Sequence, residues 1–182
     1  MGLRDVAYGL YEKRLAAGLA RDRAPVPRHV GVILDGNRRW ARSVGAASEQ
    51  GHQRGADKIV DLLRWCDEAG VEVVTLWLLS TDNLSRPEPE LAPLLRIIEG
   101  VVCDLAAPSN HWTLNVVGAL DLLPADTARL LKETAARTAG RPGVHVNVAV
   151  GYGGRREIAD AVRSMLRPPW RTASRRSTPA AP

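Results

Sequence analysis

The chain has only two cysteines in 182 residues, Cys66 and Cys103. Each is isolated in an apolar helical context, which excludes a disulfide framework and a cysteine-based metal motif. Buried free thiols in a reducing cytosol are the expectation for both. No apolar run is long enough to span a membrane, and no secretory signal opens the sequence. A cytoplasmic location is therefore expected. Acidic residues are missing from Arg163 onward, where five arginines stand (163, 167, 171, 175 and 176). Taking those five from the 25 basic residues leaves 20, equal to the 20 acidic ones. The net charge of +5 thus belongs to that stretch, and a nucleic-acid-binding reading has no other support. What is present fits one soluble domain with its own core: hydrophobic residues make up 45% and charged residues 25%.

The stretch His29-Val-Gly-Val-Ile-Leu-Asp-Gly-Asn-Arg-Arg-Trp40 organises the rest. Val30 to Leu34 reads as a buried strand. Asp35 then stands at its carboxyl end, where open α/β sheets bind ligands. Gly36 allows a tight turn and Asn37 tolerates unusual backbone angles. Backbone donors and the guanidinium groups of Arg38 and Arg39 suit a phosphate. One carboxylate amid anion-binding groups makes sense when magnesium bridges it to a polyphosphate. Taken alone, the Asp-Gly-Asn segment reads equally as a surface turn.

The design repeats. Val71 to Leu79 is a second strand, breaking into Ser80-Thr81-Asp82-Asn83 with Arg86 beyond. Those polar residues could also cap a helix, and both roles are expected. Trp112 to Val117 and Val144 to Val150 are further strands, the last ending in Gly151-Tyr-Gly-Gly-Arg-Arg156. In a parallel sheet these ends share one edge and converge on one pocket. Helices are expected over residues 3–20, 51–69, 87–105, 124–139 and 157–166, with 41–50 a flexible loop. The first should pack on the sheet, though its basic flanks permit peripheral membrane contact at most. His52 falls at the start of the 51–69 helix, which suits an anion. The apolar face of the 87–105 helix is core, or a bed for a ligand tail. His111 reads as a surface residue, and His145 as either paired or solvated.

Asp35-Gly-Asn-Arg-Arg-Trp-Ala41 resembles the signature of the cis-prenyltransferases, the undecaprenyl diphosphate synthase family. Four more stretches match in order: Gly51-His52, Leu79 to Pro87, Val117-Gly118 and Gly151 to Arg155. Arg38 replaces the usual glycine, and Ser48 stands where many members carry an arginine. Asn83-Leu84 and Val150-Gly151-Tyr152 resemble the short-chain branch that makes Z-farnesyl diphosphate.

The resemblance implies an α/β fold, a central mostly parallel sheet with helices on both faces. It implies a transferase that joins isopentenyl diphosphate to a short allylic diphosphate with a new Z double bond. Asp35 would hold magnesium and act catalytically, with Asn83 assisting proton removal. Gly36, Asn37, Arg38 and Arg39 would cradle the allylic diphosphate, helped by His52 and Arg86. Trp40, Ser80, Thr81, Asp82 and Leu84 would complete the substrate contacts. A homodimer is the family's usual assembly. Residues 1–167 are expected to form the family domain, incomplete at its C-terminal end, and 168–182 a disordered basic tail. The rival reading is an impaired member that binds an allylic diphosphate or pairs with a complete homologue.

Overall fold

A computed structural model describes residues 3–22 and 26–166. The expected tail over 168–182, and residues 23–25 of the connector after the first helix, lie outside the described residues. Four strands form one sheet: β1 (His29–Ile33), β2 (Val73–Ser80), β3 (Thr113–Val117) and β4 (His145–Tyr152). Their order is β1-β2-β4-β3 and every neighbour pair is parallel. Parallel neighbours need crossover connections, and helices supply them. Between strands lie α2 (Asn37–Ser43), α3 (Ser48–Ala56), α4 (Ile59–Glu68), α5 (Glu88–Leu105) and α6 (Ala125–Ala136); α1 (Leu3–Asp22) precedes β1 and α7 (Gly154–Leu166) follows β4. The expected α/β class with a parallel sheet is what forms.

One sheet face carries the core. Val74, Leu76, Val146 and Val148 are fully buried there, against Leu63 of α4, Val102 and Leu105 of α5 and Leu131 of α6. The other face holds a polar row that crosses all four strands. His29 Nε2 lies 2.8 Å from Thr75 Oγ1, and Asn147 Nδ2 donates to the same hydroxyl at 3.2 Å. Asn115 Nδ2 then donates to Asn147 Oδ1 at 3.1 Å. Thr75, Asn147 and Asn115 are direct cross-strand partners, and Gly31 opposite Thr75 leaves room for His29 to reach over.

Four sequence expectations change, the burial of Cys103 among them. The 41–50 loop is mostly helical, because α2 and α3 pack on each other there. The 51–69 helix is two helices, broken at Asp57–Lys58. The stripe of α1 does not pack on the sheet: Val6 and Leu10 are 61% and 73% exposed. Tyr8 and Tyr11 are exposed beside them. Of the two thiols Cys66 is buried, and burial pushes its pKa up. Cys103 is exposed, on the side of α5 away from Val102 and Leu105. His145 is exposed; His111 is exposed too, with Nε2 2.7 Å from an Asp67 carboxylate oxygen.

Candidate active site

β1 delivers the chain through Leu34 and Asp35 to a turn at Gly36. Gly36 has φ +89°, a left-handed conformation that costs a residue with a Cβ roughly 1–2 kcal/mol. Its N–H donates to Asp35 Oδ1 at 2.6 Å, which fixes the carboxylate at the strand end. The first helical bond of α2 runs from Trp40 N–H to the Gly36 carbonyl. The N–H groups of Asn37, Arg38 and Arg39 precede it, so they project from the helix end.

Packing from α3 holds Asn37. A Cβ on Gly51 would overlap the Asn37 carbonyl, and one on Gly55 would stand 2.6 Å from Asn37 Oδ1. These glycines lie one turn apart and let α3 approach α2 at Asn37.

The end of β2 is re-aimed by irregular pairing. Trp77 faces Ala149, Leu79 faces Val150, and Ser80 faces Tyr152, so Leu78 and Gly151 are extra residues. The slip carries Leu79 to the buried side with Leu76. Leu78 and Ser80 turn to the cavity instead. A short 3-10 helix (Asp82–Ser85) follows. Asn83 N–H donates to Ser80 Oγ at 3.1 Å, and Arg86 Nη2 donates to Asn83 Oδ1 at 2.8 Å.

One cavity of about 400 Å³ gathers these groups. Asp35, Gly36, Asn37, Arg38 and Arg39 line it from the first strand end, with His52 of α3. Ser80, Asn83 and Arg86 line it from the second. The α5 face does both: Leu95, Val102 and Leu105 serve the core alone, whereas Leu94, Ile98 and Val101 belong to the core and, with Ile97, also wall the cavity. One end is therefore ionic and the other apolar.

Trp40, Thr81, Asp82 and Leu84 are not in the lining. Trp40 is 45% exposed, and Asp82 is exposed on the short helix. Leu84 packs at the core margin, and Thr81 N–H donates to the Tyr152 carbonyl at 3.1 Å. The end of β4 and its 151–156 turn, expected to join the pocket, do not enter the lining and support the site from behind. Tyr152 meets Trp77 edge to face at 5.9 Å, and Trp77 lines the cavity. Sequence reasoning missed Trp77 and Arg42. Arg42 follows Arg38 by four residues, so they share a face once α2 is known to be a helix.

Electrostatically the cavity is cationic. Arg38, Arg39, Arg42 and Arg86 line it against one carboxylate, Asp35. His52 lies in the second turn of α3, not at a helix start. Burial, then the charges of Arg86 and Arg38, hold its pKa below the usual histidine value. Burial and Arg38 likewise lower Arg86, with Glu90 opposing. Such crowding favours an anion. An anion near His52 raises its pKa again, so binding takes up a proton and affinity rises as pH falls through the bound-state value. Calorimetry with inorganic diphosphate in two buffers of different ionisation enthalpy should show that uptake, and His52→Asn should abolish it. Equal apparent enthalpies in both buffers for the unmutated chain would contradict this.

Among the described residues no cluster of three or more His, Cys, Asp or Glu side chains could hold a metal by itself. Asp35 alone, beside guanidinium groups, fits magnesium only when phosphate oxygens supply further ligands.

Comparison with known proteins identifies the family. A family model described as "Putative undecaprenyl diphosphate synthase" covers residues 33–179. A (2Z,6E)-farnesyl diphosphate synthase of Thermobifida fusca is 62% identical over 165 residues, 90% of this chain and 63% of that protein. Isoprenyl transferase 1 of Streptomyces avermitilis is 56% identical over 164 residues, with the same coverage. The chain thus spans about 63% of the length of these curated relatives. Lavandulyl diphosphate synthase from Lavandula x intermedia, solved with dimethylallyl diphosphate, superposes with a TM-score of 0.72 at 30% identity. That match covers 76% of this chain and 61% of the plant enzyme. With the motifs, the sheet and the family model in agreement, the chain belongs to the undecaprenyl diphosphate synthase family of prenyltransferases.

Proposed function

We propose that this chain condenses isopentenyl diphosphate with a short allylic diphosphate to give a Z-configured short-chain product. The observation that carries the reading is the two-ended cavity, cationic at the strand ends and apolar along α5. In the reaction the allylic C–O bond breaks and its electron pair leaves with the diphosphate. The π electrons of isopentenyl diphosphate form the new C–C bond, and a proton is lost to create the double bond. Arg38, Arg39 and Arg86 stabilise the departing charge, which counts most where water is excluded. Asp35, together with phosphate oxygens, would hold magnesium, whose charge neutralises the diphosphate. Asn83 is a poor base as a neutral amide, so it orients the proton toward the diphosphate. Its bond from Arg86 supports that orienting role. The chain acts in the cytoplasm as a homodimer under this reading; among the described residues no helix is long and apolar enough to cross a membrane.

The test is incubation of the whole chain with radiolabelled isopentenyl diphosphate, geranyl diphosphate and magnesium. A labelled Z-farnesyl product is expected, and Asp35→Ala should lower turnover by about 100-fold or more. No product, with measurable binding of geranyl diphosphate, would instead support the impaired member that pairs with a complete homologue.

A further inference from the structure

α7 is patterned like a helix that packs on a core, yet it does not pack. Ile158, Ala161, Val162, Met165 and Leu166 stand at i, i+3, i+4, i+7 and i+8, which puts them on one face. Surface helices normally bury such a face. Here no residue of α7 is buried, and Met165 and Leu166 are 85% and 76% exposed.

The bonds that hold α7 explain its pose. Tyr152 Oη donates to Glu157 Oε2 at 2.6 Å. Arg156 Nη2 lies 3.5 Å from Asp121 Oδ2, and its Nε lies 3.4 Å from Asp160 Oδ2. Arg156, Glu157 and Asp160 all fall off the apolar stripe, so the polar side meets the body and the stripe is turned away from it. Both acidic residues of α7 are engaged, Glu157 by Tyr152 and Asp160 by Arg156 and Arg163. Arg155 precedes Ile158 by three and Val162 by seven, so it stands at the N-terminal end of the stripe itself. Past Leu166 the sequence carries arginines at 167, 171, 175 and 176 and no acidic residue.

We propose that the α7 stripe docks on an anionic lipid surface, with the helix lying in the plane of the bilayer interface. Whatever covers the stripe must accept apolar side chains and meet positive charge. A second copy of the chain satisfies only the first demand. Its stripe adjoins the stretch that carries the whole net charge of +5, so stripe-to-stripe pairing brings like charges together. A bilayer with anionic headgroups satisfies both: the acyl boundary takes Ile158, Val162, Met165 and Leu166, and the headgroups take the arginines. The helix offers about 20 Å of length to that surface at the helical rise per residue. This docking is independent of the diphosphate cavity.

Flotation of the whole chain with phosphatidylcholine vesicles, with and without phosphatidylserine at about one lipid in three, tests the docking. Binding is expected only with phosphatidylserine, and it should weaken as salt is raised. Met165→Gln combined with Leu166→Gln keeps helix propensity and should weaken binding about tenfold or more. Arg163→Gln should weaken it about fivefold. Both changes should leave the thermal midpoint and the binding of inorganic diphosphate as they were. No binding to the charged vesicles, or equal binding to the uncharged ones, would overturn the docking. Binding untouched by the double variant would assign attachment to the arginines alone and overturn the role of the stripe. An oligomer in solution that sedimentation shows to be dissociated by the double variant would put a second copy on the stripe instead.

Discussion

Gly55→Ala is expected to leave the fold standing and take away diphosphate binding. The added methyl would meet the Asn37 side-chain amide, which can rotate away, rather than backbone. Alanine is also better than glycine inside a helix by about 1 kcal/mol, which offsets the crowding. The thermal midpoint should therefore hold, while Kd for inorganic diphosphate or a geranyl analogue rises about tenfold as Asn37 is displaced. Gly51→Ala is the contrasting case. Its methyl would overlap the Asn37 carbonyl and approach Ala41 Cβ at 3.0 Å. Backbone must then shift, at a cost of roughly 1–3 kcal/mol, so stability and binding should fall together. Thermal melts and calorimetry on the two variants separate the cases. Unchanged binding in Gly55→Ala would show that Asn37 plays no part in holding the anion.

Arg86→Ala should show the same pairing of effects as Gly55→Ala, on a larger scale. A guanidinium bonded to a diphosphate contributes about 1.5–3 kcal/mol, so affinity should fall by roughly 10- to 100-fold. The empty protein should not suffer. Arg86 is half-buried, and the neighbouring Arg38 charge lowers its pKa, so removing it relieves like-charge crowding. The loss of one hydrogen bond to Asn83 works against that relief. A thermal midpoint that holds or rises, with binding lost, is the signature of a residue kept for its ligand. A large drop in the midpoint would make Arg86 structural.

How much of this was legible in the sequence depends on which signal each element carries. The strand ends were legible because an apolar run stops sharply at Asp35 and again at Ser80. Parallel pairing then places both on one edge, and the shared cavity bears that out. α2 was hidden because only Trp40 and Ala41 are apolar in it, and its fold depends on α3 glycines ten or more residues away. Arg42 was hidden with it. The break at Asp57–Lys58 was masked by its own success: Ile59, Leu63 and Cys66 load the same core as Ala56, so the apolar period reads straight through. The bulge that turns Ser80 into the cavity leaves no local mark, since Leu78 and Leu79 are alike in character.

The row from His29 through Thr75 and Asn147 to Asn115 bears on how this sheet avoids mispairing. Sliding a strand by one residue swaps its faces, and hydrophobicity alone forbids that. Sliding it by two keeps every side chain on its proper face and escapes that check. Such a slip would set Val73 or Trp77 of β2, instead of Thr75, opposite Asn147. The amides and hydroxyl would then lose one another, so the polar row rejects errors that the greasy side of the sheet would tolerate.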